Sequence, residues 1–354
     1  MPHAEIAEGT QKSQKRGFRT CAKPGLASFL FYGLCITSVI SASLPPNERN
    51  GHGDNHPMQN HHALSRQQLI LLVLLTVVWG LNWPVMKLAV ADYPPLSFRA
   101  LSIWLGLPVL WLALVVMKVP FALPRKHWPE LLWLAATNMF IWHGCIILAV
   151  KYLSSGRAAI LGYTMPIFSA VIGVLLFQAV MSRRGWLGVS AAALGVALLL
   201  WHELSNLAGN PAGVALALVA AATWALGTQL LRRTRLPVPT LTLSFWMTVL
   251  TAFVMTALAT GFEQSQWRMP GNATWFGIFY NAVLVFGFAH AAWFYLARSL
   301  PPVASTLSVM MIPVLGVATG ALWLGEVLHW QDFAAVGLMV VAIASVLWPV
   351  KAPT

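Results

Sequence analysis

The stretch YTMPIFSAVIGVLLFQAV, Tyr163 to Val180, sets a proline near the start of an otherwise unbroken apolar run, and nearly the same pattern returns as MMIPVLGVATGALWLGEV, Met310 to Val327. Sliding the chain by 147 residues lays Pro166 on Pro313 and, without a gap, Trp201 on Trp348. The small residues Ser169 and Gly173 then fall on Gly316 and Gly320. A slide of 143 brings Asn138 onto Asn281, Gly144 onto Gly287 and Tyr152-Leu153 onto Tyr295-Leu296; one of 145 matches Trp79 with Trp224 and Lys87 with Arg232. These offsets differ only by loop lengths, so one unit occurs twice.

Composition says what kind of unit it is. Of 354 residues, 58% are hydrophobic and only 9% charged, against roughly 25% charged in a soluble domain. Runs of about 20 apolar residues, each enough to cross a hydrocarbon core as a helix, recur from Gln68 onward. Helices are the structure that satisfies the backbone of such runs without water. Spans are expected near 69–90, 97–117, 130–152, 157–178, 184–201, 212–232, 240–260, 275–297, 303–323 and 331–349. Breaker residues separate them, among them Tyr93-Pro94-Pro95, Gly209-Asn210-Pro211, Pro237-Val238-Pro239, Pro270-Gly271-Asn272 and Pro301-Pro302.

Each unit then holds five spans. An odd number forces the second unit to enter the bilayer from the opposite side. The expected fold is an all-α membrane protein of ten transmembrane helices, built as two inverted five-helix repeats over residues 68–202 and 203–351. Inverted repeats meeting at a pseudo-two-fold axis in the membrane plane are the recurring plan of secondary transporters, because exchanging the halves' conformations turns an inward-open state into an outward-open one. Within that plan the prolines gain a role. Pro166 and Pro313 each remove a backbone donor and bend a helix, while the small residues that follow let a neighbour approach closely. Pro166, Pro313, Gly316 and Gly320 are therefore candidate hinge and gating residues.

The net charge of +12 does not point to nucleic acid, because the basic residues lie mostly in loops between spans. If the segment before Gln68 is cytoplasmic, nine Lys and Arg (Lys118, Arg125, Lys126, Arg183, Arg184, Arg232, Arg233, Arg235, Arg298) fall in cytoplasmic loops and four (Lys87, Lys151, Arg157, Arg268) in the opposite ones. That excess places both ends of the ten-helix body in the cytoplasm. Cys21, Cys35 and Cys145 are odd in number and suggest no disulfide framework.

Residues 1–67 form an N-terminal extension with a histidine-rich linker at 49–62. Its basic stretch, the apolar LASFLFYGLCITSVI and the small Ser41-Ala42-Ser43 read as a signal-like segment or an extra helix. Initiation at Met58, giving a short polar tail, is the preferred reading over initiation at Met1. His52, His56, His61 and His62 match no metal-binding spacing, and no metal or other cofactor is expected.

The segments TVVWGLNWPVMKLAVADYPPLSFRAL in the first half and ARSLPPVASTLSVMMIPVLGVATGALWLGEVLHWQDFAAVGLMVVAIASVLW in the second resemble the EamA family of the drug/metabolite transporter superfamily. The resemblance covers roughly Gln68 to Trp348. It implies a ten-helix protein of the bacterial inner membrane, often an exporter of amino acids or related metabolites, with a central cavity between the halves. One departure is that the family's L-G-E ending stands as Leu324-Gly325-Glu326 in the second half, whereas the first half reads Phe177-Gln178-Ala179.

Polar groups inside spans are costly and become candidates by default. Asn82 sits between Trp79 and Trp83, placed to read a polar solute or to bond a neighbouring helix. Asn138 and Asn281 occupy matched repeat positions, open to the same two roles. His143 and His290 are the only deep groups whose unperturbed pKa lies near neutrality, making protons a candidate coupling ion, with a neutral histidine bonded to a neighbouring helix as the preferred alternative. Lys87 and Arg99 flank the first outer loop, where snorkelling to headgroups competes with attracting a carboxylate or other anion. Tyr163, Trp79, Trp224 and Trp246 are candidates to wall a cavity for a small solute. The partners implied are the lipid bilayer and a small-molecule substrate.

The alternatives are an intramembrane enzyme and a non-transporting membrane sensor. Neither a nucleophile-base pair nor a carboxylate joins the histidines within an expected span. No phosphate-binding loop for ATP is present. A first span without a carboxylate also argues against cationic drugs as cargo.

Overall fold

The computed structural model describes residues 65–205, 211–300 and 311–347. Residues 1–64 of the N-terminal extension, with its linker histidines, the Pro301-Pro302 break and Trp348 lie outside the described residues, whose only regular structure is helical, with no strand among them. We label the rods α1 (Arg66–Ala91), α2 (Pro95–Val116), α3 (Arg125–Tyr152), α4 (Ser155–Phe177), α5 (Arg183–Ser205), α6 (Pro211–Arg233), α7 (Thr240–Gln266), α8 (Asn272–Ser299), α9 (Met311–Leu324) and α10 (Trp330–Leu347). Seven of them, α1 to α4 and α6 to α8, are long and apolar enough to cross a membrane.

The ends follow local chemistry. Ser65 and Gln68 form a reciprocal capping box at the start of α1. Pro94 and Pro239 hold the N-cap positions of α2 and α7, where a missing N–H costs nothing. The perimeter is apolar, with Leu69, Val73, Trp111, Trp133, Leu175 and Phe253 exposed, as lipid contact requires.

Packing partners keep their pattern when the two halves are exchanged. Helix α1 packs on α8 and α9, α6 packs on α3 and α4, α2 lies on α7, and α5 on α10. Fine details recur at the same positions. Gln178 and Gly325 both adopt left-handed backbone, and Ala179 and Glu326 each return an amide bond to the carbonyl six residues back, at Gly173 and Gly320. Lys87 donates to the carbonyls of Val150, Lys151 and Leu153 that close α3, and Arg232 donates to Leu300 at the close of α8. Both cations thus neutralise a helix C-terminus; Lys87 does so instead of snorkelling.

The prolines at the centre of the sequence reading act differently from a simple kink. Helix α4 stops at Gly162 and restarts at Met165, with Pro166 in its new first turn. The break therefore falls at Tyr163 and Thr164, and the Thr164 hydroxyl closes it by donating to the Leu161 carbonyl. Pro313 lies inside α9 as described. Downstream, a Cβ on Gly316 would sit 2.9 Å from Ala159 Cβ, and one on Gly320 would sit 2.5 Å from Ser155 Oγ and 2.6 Å from Glu326 Oε2. The small pair therefore admits α4 against α9, as the spacing suggested.

One expectation is corrected. Asn138 and Asn281, matched at an offset of 143, share only a local geometry, each amide donating to the carbonyl four residues back, at Leu134 and Gly277; α3 and α8 are each 28 residues long and begin and end 147 positions apart. The offset of 143 also fails for the pairs Gly144/Gly287 and Tyr152-Leu153/Tyr295-Leu296, because α3 ends at the cap Leu153 and α8 at the cap Leu300, 147 positions apart. Both rods carry a π-helical stretch, five residues in α3 (Ala136–Phe140) and nine in α8 (Asn281–Ala289), a feature that gathers at functional sites. At the offset of 147, His143 and His290 are equivalent positions.

Two carboxylates tie the halves together. Glu263, at the end of α7 and buried, accepts from the amides of Leu96 and Ser97 and from the Ser97 hydroxyl, at 3.0, 2.7 and 2.8 Å. The end of α7 thus meets the start of α2, so the two run antiparallel. Glu326 accepts from Ser155 and Gly156 amides at the start of α4, at 2.7 and 3.1 Å. Both caps satisfy orphan donors at a helix N-terminus, and both sit at the end of the bundle where α1 finishes. The matching first-half positions are Lys118 and Ala179, which carry no carboxylate.

Candidate functional site

The π turns and the α4 break converge on one place. His143 Nε2 and His290 Nε2 lie 3.1 Å apart, both rings buried. These matched positions of the two halves therefore meet at one point of the core. Trp79 and Trp224, also matched, meet edge to face with centroids 6.0 Å apart and lie 5.7 and 5.9 Å from the His290 ring. Phe286 stacks on His290 at 5.1 Å.

Hydrogen bonding sets the tautomers. His290 Nδ1 stands 2.8 Å from the Val285 carbonyl, which can only accept, so Nδ1 carries a proton. In the neutral pair His290 Nε2 is then an acceptor and His143 Nε2 its donor. His143 Nδ1 is left as a buried lone pair without a hydrogen-bond partner.

A cavity of about 40 Å³ opens against these groups. Its lining includes Trp79, Asn82, Arg99, His143, Tyr163, Trp224 and His290. A second void of about 20 Å³ shares Trp79, Tyr163 and Trp224 with it and runs on to Pro166, so the α4 break borders the same space. The volume is room for one or two waters; a metabolite needs the halves to part. One wall is a polar chain: Asn281 donates to Asn82 Oδ1 at 2.9 Å, and Arg99 donates to Asn281 Oδ1 at 3.0 Å.

The structure brings most of the expected residues together and separates three. Asn138 is buried but faces Gly227, where a Cβ would lie 2.6 Å from its Nδ2, and does not line the cavity. Trp246 packs on Trp128 and donates to the Phe121 carbonyl at 2.9 Å, at the end of the bundle where α2 finishes; it walls no central space. Gly320 sits beside the Glu326 cap. Arg99, for which snorkelling competed with attracting an anion, is 1% exposed and lines the cavity, so it does not snorkel. Trp83 and Trp142 were not singled out as cavity residues, although the repeated tryptophans beside Asn82 were a signal for the first.

A family profile matches the chain twice, over residues 67–201 and again over 211–348. The chain belongs to the EamA-like transporter family. This EamA protein is therefore a membrane transporter. It is 24% identical to the Bacillus subtilis (strain 168) uncharacterized transporter YoaV over 259 residues, 72% of this chain and 88% of YoaV. It is 26% identical to the uncharacterized inner membrane transporter YedA of Escherichia coli (strain K12), over 79% of this chain and 92% of YedA. A probable amino-acid metabolite efflux pump of Salmonella typhimurium (strain LT2) is 25% identical, over 79% of this chain and 94% of its own length. A solved crystal structure superposes with a TM-score of 0.64 at 19% identity, covering 79% of this chain and 97% of that one, a likeness of fold.

Proposed function

We propose that this protein is a secondary transporter that exports small metabolites, amino acids or related compounds, across the bacterial inner membrane by alternating access. Its body is ten membrane-crossing helices in two inverted five-helix repeats, 68–202 and 203–351, with both ends in the cytoplasm. The observation that carries this reading is the contact of His143 with His290, matched positions of the two halves, inside a cavity walled by both halves. A solute held there is released to either side as the halves rock, with Pro166 and the α4 break as one hinge. The relatives named as transporters, and one as an amino-acid metabolite efflux pump, support the cargo class.

Protons are the proposed coupling ion. The bare His143 Nδ1 is the place an added proton goes, and cargo and proton then compete for one acceptor. The cavity lining holds no carboxylate or thiol, and the adjoining void adds only the hydroxyls of Ser169 and Thr228.

The test is the full chain in vesicles preloaded with an amino-acid and metabolite panel, with and without a pH gradient. At least one solute is expected to move faster with the gradient. His143→Gln keeps a hydrogen-bonding side chain without a titrating one, and is expected to cut gradient-driven flux roughly tenfold while exchange at equal pH persists. A panel that stays put in both directions refutes transport; a His143→Gln protein with full gradient response refutes the proton site alone.

A further inference from the structure

Arg99 is buried in the bilayer-spanning body with no carboxylate against it. Its Nη1 donates to Asn281, its Nη2 faces the Met86 sulfur at 2.8 Å, and its Nε has no hydrogen-bond partner. The guanidinium carbon lies 5.7 Å from the rings of Phe98 and of Phe286. Every carboxylate whose side chain is described is engaged or remote: Glu263 and Glu326 cap helices, Glu130 accepts from Thr234, Asp332 accepts from the His329 amide, and Asp92 is exposed.

A charge held this way is expensive, because no described counterion repays its desolvation. The first half alone maintains it. The matching position in α7, 145 residues on like Pro94 and Pro239, is Ser244. Symmetric packing therefore does not require the arginine. What sets Arg99 apart is the cavity, which it lines together with His143, Trp79, Trp83 and Trp224.

We propose that Arg99 is the anion subsite of the transport cavity, and that the cargo is a small carboxylate whose negative group supplies the missing counterion. A guanidinium offers planar donors that match a carboxylate. His143 Nδ1 then accepts from an N–H of the cargo, and the tryptophan faces take an ammonium or an apolar tail. With no acidic side chain in the lining, a purely cationic cargo would set two like charges in an apolar site. Neutral amino acids fit as zwitterions, and simple carboxylic acids fit as anions. The proposal rests on the transport reading above.

Four probes of one shape separate these sources: L-leucine, 4-methylpentanoate, L-leucinamide and 3-methylbutylamine. The full chain, purified in detergent, is heated with each, since a ligand of the folded state raises Tm. L-leucine, 4-methylpentanoate or both are expected to raise Tm, whereas the amide and the amine leave it unchanged. In Arg99→Met the affinity for the carboxylate is expected to fall roughly 100-fold, while the ligand-free protein melts no lower than the wild type because a buried charge has gone. Arg99→Lys, a point charge, should restore part of the response. The proposal is overturned if neither carboxylate shifts the wild type, if amide or amine stabilises as well as acid, or if Arg99→Met responds like the wild type. Should Arg99→Met not fold, the wild-type selectivity among the four probes still decides. In vesicles, movement of the amine or amide but of no carboxylate sinks the anion subsite and leaves transport standing, whereas immobility of every solute sinks transport.

Discussion

Gly106→Val is expected to abolish accumulation of folded protein. A Cβ on Gly106 in α2 would stand 2.8 Å from Phe286 Cβ and 2.9 Å from the Ala282 carbonyl oxygen. Backbone cannot swing aside as a flexible side chain can, so α2 must back away from the π turn of α8. That turn carries the Val285 carbonyl that fixes the His290 tautomer, so the damage reaches the histidine pair. Overpacking of this kind costs about 3 kcal/mol, a large part of a marginal stability. The yield of monodisperse protein from membranes and its Tm in detergent report the outcome; a variant with wild-type yield and Tm would show that α2 and α8 are not so close.

Glu263→Ala is the second large effect. It strips two buried amides, those of Leu96 and Ser97, of their acceptor, and leaves the Ser97 hydroxyl, which also accepts from Trp267 Nε1 at 2.9 Å, without its own acceptor. Each stranded donor costs on the order of 1–3 kcal/mol, and the loss of a negative group at a helix N-terminus adds to it. A total of about 3 kcal/mol is expected from these donors together, read as a lower Tm in detergent. Glu263→Gln, with one acceptor oxygen, should fall between. Equal stability of wild type and alanine variant would remove the cap from the account.

How far the residues announced this structure depends on the scale of the signal. Apolar runs and their breakers placed the helices, because hydropathy averages over about 20 residues. Helix α4 was legible down to its proline, since Pro166 has a mechanical consequence wherever it stands. The π-helical stretches were not, because they leave hydropathy unchanged, and the match of Asn138 with Asn281 set an offset of 143 where the two rods stand 147 positions apart. His143 and His290 were therefore seen as candidates that could share a site, but not as matched repeat positions. Arg99 was misplaced for a related reason. Five residues after Pro94 it looks interfacial by depth, but α7 continues to Gln266 and lays Glu263 and Trp267 over the start of α2, which draws Arg99 inside. Trp246 erred the other way, because depth along a helix says nothing about which face meets the cavity.

The two glutamate caps have a consequence for turnover. Both lie at one end of the bundle, and each joins a helix of the first half to a carboxylate of the second. A motion that parts the halves at that end strains or breaks these bonds, whereas parting them at the opposite end meets no such latch. Under the proposed alternating access, the two open forms are then expected to be unequal in free energy, with the resting population shut at the latched end and the slower half-cycle the one that unfastens it.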